Sequence, residues 1–200
     1  MQRIAVTGGV AEGKTTVLRV FETLGAVTLS SDRIAATLLL PGTDLWRELI
    51  REFGQAIIEA DGALSRERLA QLAFSEAQFR RRLNRLMHPA VVRALEAQLN
   101  ALEPASTPVL IEVPLLIETA LQGWFDGVIV ALATPALQRR RLIERGVAPA
   151  RARQMMRAQL PTRCKVAFAD WVIRTHCSLE QVEQQARRIW QSLTESRGVY

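Results

Sequence analysis

The sequence has little of several features on which particular protein classes depend. Its only cysteines, Cys164 and Cys177, are too few for a disulfide framework or a four-cysteine zinc site, so we expect two free thiols. The most apolar region is interrupted by Glu112, Pro114 and Glu118, which argues against a membrane span. The N-terminal residues MQRIAVTGG lack the apolar stretch of a signal peptide. We therefore expect a cytoplasmic protein without a membrane partner.

Lysine is also scarce, because all but Lys14 and Lys165 of the 26 basic residues are arginine. The formal net charge of +6 favours an anionic ligand, either nucleic acid or a small polyphosphate. The arginines are spread along helical patterns, and no motif interleaves them with aromatic residues as in single-strand binders. The sequence therefore favours the small polyphosphate over a nucleic acid.

Short apolar segments alternate with amphipathic helical patterns along most of the chain. This alternation predicts an α/β fold with a five-stranded parallel sheet. The predicted strands are residues 3–7, 26–30, 108–113, 127–133 and 171–175. Few strand signals occur between residues 42 and 105, which we interpret as a helical insertion between strands two and three. Within it, residues 65–103 have a helical pattern that we expect to break near Pro89.

The stretch GGVAEGKTT, residues 8–16, fits the pattern G-x-x-x-x-G-K-[ST] between a predicted strand and a predicted helix. Glycines allow the backbone to turn so that successive N–H groups point at phosphate oxygens. The N-terminus of the following helix adds partial positive charge. Lys14 would reach the β- and γ-phosphates of a nucleoside triphosphate, and the Thr15 hydroxyl would help to hold Mg²⁺.

The predicted triphosphate-binding residues are consecutive in the chain. They are Gly9, Val10, Ala11, Glu12, Gly13, Lys14, Thr15 and Thr16. Glu12 is unusual because it places an anion beside phosphates. Since only backbone N–H groups need to face the ligand, we expect the Glu12 side chain to point to solvent.

Two acidic residues lie at or just after the ends of predicted strands, at the edge where ligands bind in parallel α/β sheets. Asp32, after strand two, is the candidate base or metal ligand, and the alternative role is the N-cap of a helix that starts at Arg33. Glu112, at the end of strand three, suits either a metal-linked acid or a supporting residue. The absence of an N-K-x-D motif and the helical insertion favour a small-molecule kinase over a GTPase.

Four arginines crowd the helix that Pro135 begins. Arg141 and Arg145 share one face at i,i+4 spacing. We assign Arg141 to the developing phosphoryl charge, and we expect Arg139, Arg140 and Arg145 to form a solvated basic face.

Several separated motifs, in order, resemble the dephospho-coenzyme A kinase family over nearly all of the chain. TGGVAEGKTT is similar to the family's TGGIGSGKST, and LSSDRIA to its D-A-D-x-I-A, with Asp32 on the second aspartate. LNRLMHPAV carries the family's helix-ending H-P, and EVPLLIET its P-L-L-x-E. ATPALQRRRLIER matches P-x-x-Q-x-x-R-x-x-x-R, and AQLPTRCKVAFADWVI resembles a Q…K…A-D-x-x-I stretch.

The resemblance implies transfer of the ATP γ-phosphate to the ribose 3′-hydroxyl of dephospho-coenzyme A with Mg²⁺, the last step of coenzyme A synthesis. It implies a single three-layer phosphate-loop NTPase domain, with a nucleotide core in residues 1–40 and 106–200. A coenzyme A-binding insertion would span residues 42–105, and a helical lid residues 138–168. A monomer is expected, with a homo-oligomer as the open alternative.

By motif position, the resemblance makes Asp32 the base and a metal ligand with Thr15, and Lys14 and Arg141 catalytic residues. The residues that would line or support the substrate pocket are His88, Pro114, Leu115, Leu116 and Glu118. Lys165 falls on the family's lysine position.

The chain departs from the family pattern at three places. Ser30 replaces the first aspartate of D-A-D, which puts one metal contact in doubt, and Thr175 replaces an asparagine after the last strand. Ala11 and Glu12 replace Gly-Ser, which suits the loop if Ala11 needs no positive φ. A related kinase for a nucleoside monophosphate or sugar acid, an inactive binding protein and a nucleic-acid binder remain as alternatives.

Overall fold

The computed structural model describes residues 1–102 and 107–195, except for the side chains of Arg66 and Phe74. The described residues form two compact units. One unit contains residues 1–30 and 107–195, and the other contains residues 31–102.

The first unit contains a five-stranded, all-parallel sheet, as the alternating pattern predicts. Its strands are β1 (Arg3–Thr7), β2 (Val27–Ser30), β3 (Val109–Glu112), β4 (Gly127–Leu132) and β5 (Trp171–Arg174). Their spatial order is β2-β3-β1-β4-β5. The strands are short apolar runs because parallel strands are covered on both faces. In the parallel register, Glu112 pairs with both Val6 and Ser30, so the ends of β1, β2 and β3 lie at one edge.

The helices of the described chain follow in sequence order. They are α1 (Lys14–Thr23), α2 (Ser31–Leu38), α3 (Asp44–Phe53), α4 (Arg66–Ser75), α5 (Ala77–Ala101), α6 (Pro135–Glu144), α7 (Pro149–Arg157), α8 (Thr162–Lys165) and α9 (Leu179–Glu195). The helical pattern that follows the last strand in the sequence predicts a closing helix over residues 178–196, and its final residue, Ser196, lies outside the described residues.

Helices α1 and α9 cover the sheet of the first unit with one apolar core. Phe21 of α1 is fully buried, and its ring lies 6.2 Å from that of Trp190 on α9. A serine directly before a helical pattern predicts an N-cap, and Ser178 caps α9, since its hydroxyl accepts the Gln181 N–H at 3.3 Å. The Gln181 side chain accepts the Ser178 N–H in return, which completes a capping box.

The second unit packs helices α2 to α5 around a core of its own. The buried members of this core are Leu45, Leu49, Ile57, Leu64, Leu69, Phe79 and Ala90. The helical content of this unit agrees with the pattern in the sequence.

The predicted break near Pro89 is wrong, because α5 continues through this residue and His88 is inside the helix rather than at its end. A proline costs a helix interior about 3 kcal/mol. Packing compensates here, since Phe79 and Ala90 on the two sides of the helix midpoint are buried in the same core. The chain leaves the helical conformation at Glu76 instead. The Glu76 N–H donates to the Leu72 carbonyl at the end of α4, and the Glu76 carbonyl accepts the Arg80 N–H at the start of α5.

Candidate active site

The phosphate loop occupies the connection between β1, which ends at Thr7, and α1, which begins at Lys14. Gly13 has φ of 86° at the N-cap of α1, a left-handed conformation that favours glycine. The loop therefore ends at a helix N-terminus, where N–H groups without helical partners favour the binding of an anion.

Two further loop positions have constrained backbones. A Cβ on Gly9 would lie 2.6 Å from Nε2 of Gln138 and 2.9 Å from Oγ1 of Thr162, so no larger residue fits. Alanine suits position 11 of the loop only if no positive φ is needed there, but Ala11 has φ of 57°. This conformation costs an alanine about 1 kcal/mol. The buried methyl group packs with Leu142 and Ala152, and this packing offsets part of the cost.

Lys14 is almost completely buried and folds back over the loop. Its Nζ donates to the carbonyl oxygens of Gly9 at 2.9 Å and Gly8 at 3.3 Å. Thr15 and Thr16, the next residues, are exposed at the start of α1. The lysine charge and the threonine hydroxyls are thus placed at the same helix N-terminus.

The expectation that Glu12 points to solvent is wrong, because this residue is only 1% exposed. Its Oε2 accepts the Gly9 N–H and the Thr162 hydroxyl, both at 2.6 Å. Burial raises the pKa of Glu12, and hydrogen bonds from Thr162, Gly9 and Ala133 and the charge of Lys14 oppose this rise. The side chain turns inward because these donors converge where Gly9 has no side chain.

Side chains from distant parts of the chain also hold the loop backbone. Gln138 of α6 donates to the Val10 carbonyl at 3.1 Å, and Gln159 accepts the Val10 N–H at 2.8 Å. Sequence reasoning did not select Gln138, Gln159 or Thr162 as site residues. Both glutamines lie in motifs that resemble the family, and this resemblance was the signal in the sequence that could have identified them as site residues.

Arg141, one of the four arginines in the cluster, lies against the phosphate loop. Its guanidinium donates to the carbonyl oxygens of Ala11 at 3.1 Å and Thr175 at 2.8 Å. The Thr175 hydroxyl in turn donates to the Glu12 carbonyl at 2.7 Å. Burial, followed by the charges of Arg145 and Arg140, lowers the pKa of Arg141.

The other three arginines of α6 and its C-cap are exposed. They form the solvated face that the sequence pattern predicts, and they are Arg139, Arg140 and Arg145. Arg140 makes an i,i+4 ion pair with Glu144 at 3.4 Å.

The P-L-L-x-E segment after β3 is held by a buried lysine. Lys165 of α8 is fully buried, and its Nζ donates to the Pro114 carbonyl at 2.7 Å and to Oε1 of Glu118 at 2.9 Å. The same Glu118 oxygen accepts the Leu160 N–H at 2.9 Å. Leu116 is fully buried and supports this segment, whereas Leu115 is 44% exposed.

The acidic edge of the sheet contains Glu112 and Ser30. The Ser30 hydroxyl donates to Oε2 of Glu112 at 3.4 Å, across neighbouring strands in register. Ser30, which stands where the family pattern has aspartate, is thus directed to a carboxylate.

Asp32 and His88 belong to the second unit. Asp32 is exposed in the first turn of α2, which begins at Ser31, so its alternative role as the N-cap of a helix starting at Arg33 is wrong. His88 is half-buried within α5, and burial lowers its pKa.

A cavity of about 590 Å³ lies beside the phosphate loop, within the size range of small-molecule sites. Gly9, Val10 and Glu12 line it on the loop side, and its lining residues Arg157 and Arg163 contribute positive charge. The cavity therefore suits a ligand that combines an apolar or aromatic part with phosphate.

The described residues contain neither a metal-binding cluster nor a membrane-spanning helix. Among them, no group of three or more histidine, cysteine, aspartate or glutamate residues has the arrangement to hold a metal ion. In residues 1–102 and 107–195, no helix has both the length and the apolar character to cross a membrane.

Comparison with known proteins shows similarity to one enzyme family. The family model for dephospho-CoA kinase matches residues 2–181. The dephospho-CoA kinase of Leifsonia xyli subsp. xyli is 38% identical over 196 residues, which cover 96% of this chain and 99% of the relative. That of Geobacillus kaustophilus is 34% identical over 195 residues, with 95% and 97% coverage.

Solved structures agree with this similarity. A protein from Thermus thermophilus has a TM-score of 0.85 at 31% identity and covers 96% of this chain and 98% of its own. A dephospho-CoA kinase from Campylobacter jejuni has a TM-score of 0.70 at 21% identity, with 97% and 98% coverage, and shows the shared fold. A shikimate kinase from Acinetobacter baumannii has a TM-score of 0.54 at 19% identity, with 99% and 96% coverage, and likewise supports the phosphate-loop fold.

Proposed function

This chain belongs to the dephospho-CoA kinase family, and we propose specific roles for its residues in the family's reaction. That reaction is the phosphorylation of dephospho-CoA with ATP, the last step of coenzyme A synthesis. The phosphate loop carries the proposal. Its left-handed Gly13, its tightly packed Gly9 and the folded-back Lys14 together present backbone donors and one ammonium group at a helix N-terminus.

The loop residues Gly9 to Thr16 bind the ATP phosphates. On binding, Lys14 exchanges its hydrogen bonds to the Gly8 and Gly9 carbonyls for phosphate oxygens, which carry full negative charge. Arg141, held by the Ala11 and Thr175 carbonyls, adds positive charge on the side of α6. Both cations stabilise the charge of the γ-phosphoryl group during transfer.

Asp32 accepts the proton of the attacking ribose 3′-hydroxyl. The oxygen of that hydroxyl then forms a bond to the γ-phosphorus, the bond from phosphorus to the bridging oxygen breaks, and ADP leaves with the electron pair. The supporting observations are the exposure of Asp32 and its place in the first turn of α2, directly after β2 in the chain.

Mg²⁺ prefers oxygen ligands, so the Thr15 hydroxyl and the Asp32 carboxylate would each suit it as a ligand. Mg²⁺ is typically held by one or two carboxylates together with substrate phosphates and water, so a cluster of acidic residues is not required. When bound, the ion neutralises phosphate charge.

Dephospho-CoA binds to the helical insertion, residues 42–105, with His88 as a contact and Pro114, Leu115, Leu116 and Glu118 as lining or supporting residues. Residues 138–168 act as the lid. We further propose that the enzyme is a cytoplasmic monomer that uses neither nucleic acid nor membrane as a partner.

The test is ADP release with Mg-ATP, in which dephospho-CoA is compared with AMP, shikimate, gluconate and no acceptor. We expect rapid release only with dephospho-CoA, and mass spectrometry should identify coenzyme A. Equal release with another acceptor would retain the phosphate loop and overturn the substrate.

A further inference from the structure

Glu12 belongs to the phosphate loop, but the phosphoryl transfer above gives its buried carboxylate no role. Its Oε2 and the Thr162 hydroxyl are 2.6 Å apart, and both atoms accept the Gly9 N–H, at 2.6 and 3.2 Å. Thr162 is itself only 8% exposed and is the first residue of α8. The three groups form a closed, buried junction between the phosphate loop and α8.

The other end of α8 is anchored in the same manner. Lys165, its last residue, is fully buried and bonds to the Pro114 carbonyl and the Glu118 carboxylate. The Thr7 hydroxyl at the end of β1 donates to the same Pro114 carbonyl at 3.4 Å. A single helical turn therefore connects the loop after β1 with the segment after β3.

We propose that Glu12 and Thr162 are positioning residues for ATP, because their hydrogen bond holds the backbone of the phosphate loop against α8. This inference rests on the proposed binding of ATP phosphates to that loop. Neither side chain needs to contact ATP, since both act through the Gly9 backbone and the loop conformation that follows it.

The charge of Glu12 has a second effect, of opposite sign. An anion near Lys14 weakens the attraction of the loop for phosphate, whereas the hydrogen bonds of the same anion order the loop. Removing Glu12 changes both effects together. Thr162 is therefore the better position to test, because its substitution leaves every charge in place.

The experiment compares Thr162→Val, which removes the hydroxyl, with Thr162→Ser, which retains it. A hydrogen bond to a charged group contributes enough for Thr162→Val to raise the Kd and the KM for ATP about tenfold. We expect kcat to change less than about threefold by the same reasoning, because Thr162 touches no reacting atom. Thr162→Ser should restore both constants to within about twofold, since its hydroxyl can make the same bond.

Thr162→Ala provides a second variant that inserts no apolar atom beside the Gly9 N–H, in case Thr162→Val does not fold. Urea unfolding of each variant identifies a loss of ATP binding caused by general instability. In a double variant, Glu12→Ala with Thr162→Ala, the loss of ATP affinity should be smaller than the product of the two single losses, because both changes break the shared Glu12–Thr162 hydrogen bond.

The inference is overturned if the folded Thr162 variants without a hydroxyl bind ATP as the unaltered protein does. It is also overturned if Thr162→Ser is as weak as Thr162→Ala, or if the effects of the two single variants multiply. Lys14→Ala, measured in parallel, tests the proposed function separately. Unchanged ATP binding in that variant would refute the loop assignment whatever Thr162 does.

Discussion

Replacing Lys165 with methionine should lower the free energy of unfolding by about 2–4 kcal/mol. The Lys165 side chain is fully buried, and its Nζ is the donor to the Pro114 carbonyl at 2.7 Å and to Glu118 at 2.9 Å. Methionine fills a similar volume but donates no hydrogen bond, so the Pro114 carbonyl and the Glu118 carboxylate each lose one donor.

The magnitude follows from the two ends of this ion pair. Removing one partner of a fully buried pair costs about 3–5 kcal/mol. The lower range applies here because the Glu118 side chain is 22% exposed and keeps the Leu160 N–H, so water and the backbone compensate part of the loss. For a protein of this size, the same loss lowers Tm by about 5–15 °C.

Urea denaturation and thermal unfolding measure the effect, with Arg140→Met as the matched control. Arg140 also pairs with a glutamate, but that side chain is 70% exposed, and pairs of this kind contribute about 0–1 kcal/mol. If Lys165→Met lost no more stability than Arg140→Met, the buried lysine would not stabilise the segment after β3.

Three further predictions concern the site. Asp32→Asn should retain ATP affinity and lower kcat about 10²–10⁴-fold if Asp32 is the base, and steady-state ADP release with nucleotide titration would show near-normal turnover if it is not. Lys14→Ala should weaken ATP binding and slow turnover together, so an unchanged Kd from calorimetry would contradict its contact with phosphate. Gly13→Ala and Gly25→Ala both place a side chain at positive φ, at about 1–2 kcal/mol each, but only the first adds a contact, 3.2 Å from Cβ of Thr175. Urea unfolding should therefore show the larger loss for Gly13→Ala, and only that variant should bind ATP more weakly; equal behaviour of the pair would exclude crowding at Thr175.

Comparison of the two glutamates shows where reasoning from the sequence reached its limit. The position of the Glu112 carboxylate at the end of a strand could be predicted, because strand ends follow from local sequence patterns. The burial of Glu12 could not, because its partner Thr162 lies 150 positions away in the chain. The same limit applies to Pro89, where local propensity predicts a break and packing on both sides of the helix midpoint prevents it.

The sequence by itself determined the parts of this protein that depend on neighbours in the chain. These are the five strands, the glycine-rich loop before α1, the Ser178 cap and the helical character of residues 65–102. Only the tertiary structure decided the strand order, the inward turn of Glu12 and the pairing of Lys165 with Glu118. The physical reason is that backbone conformation and amphipathic period are local properties, whereas the energy of a buried charge depends on partners that folding brings from distant segments.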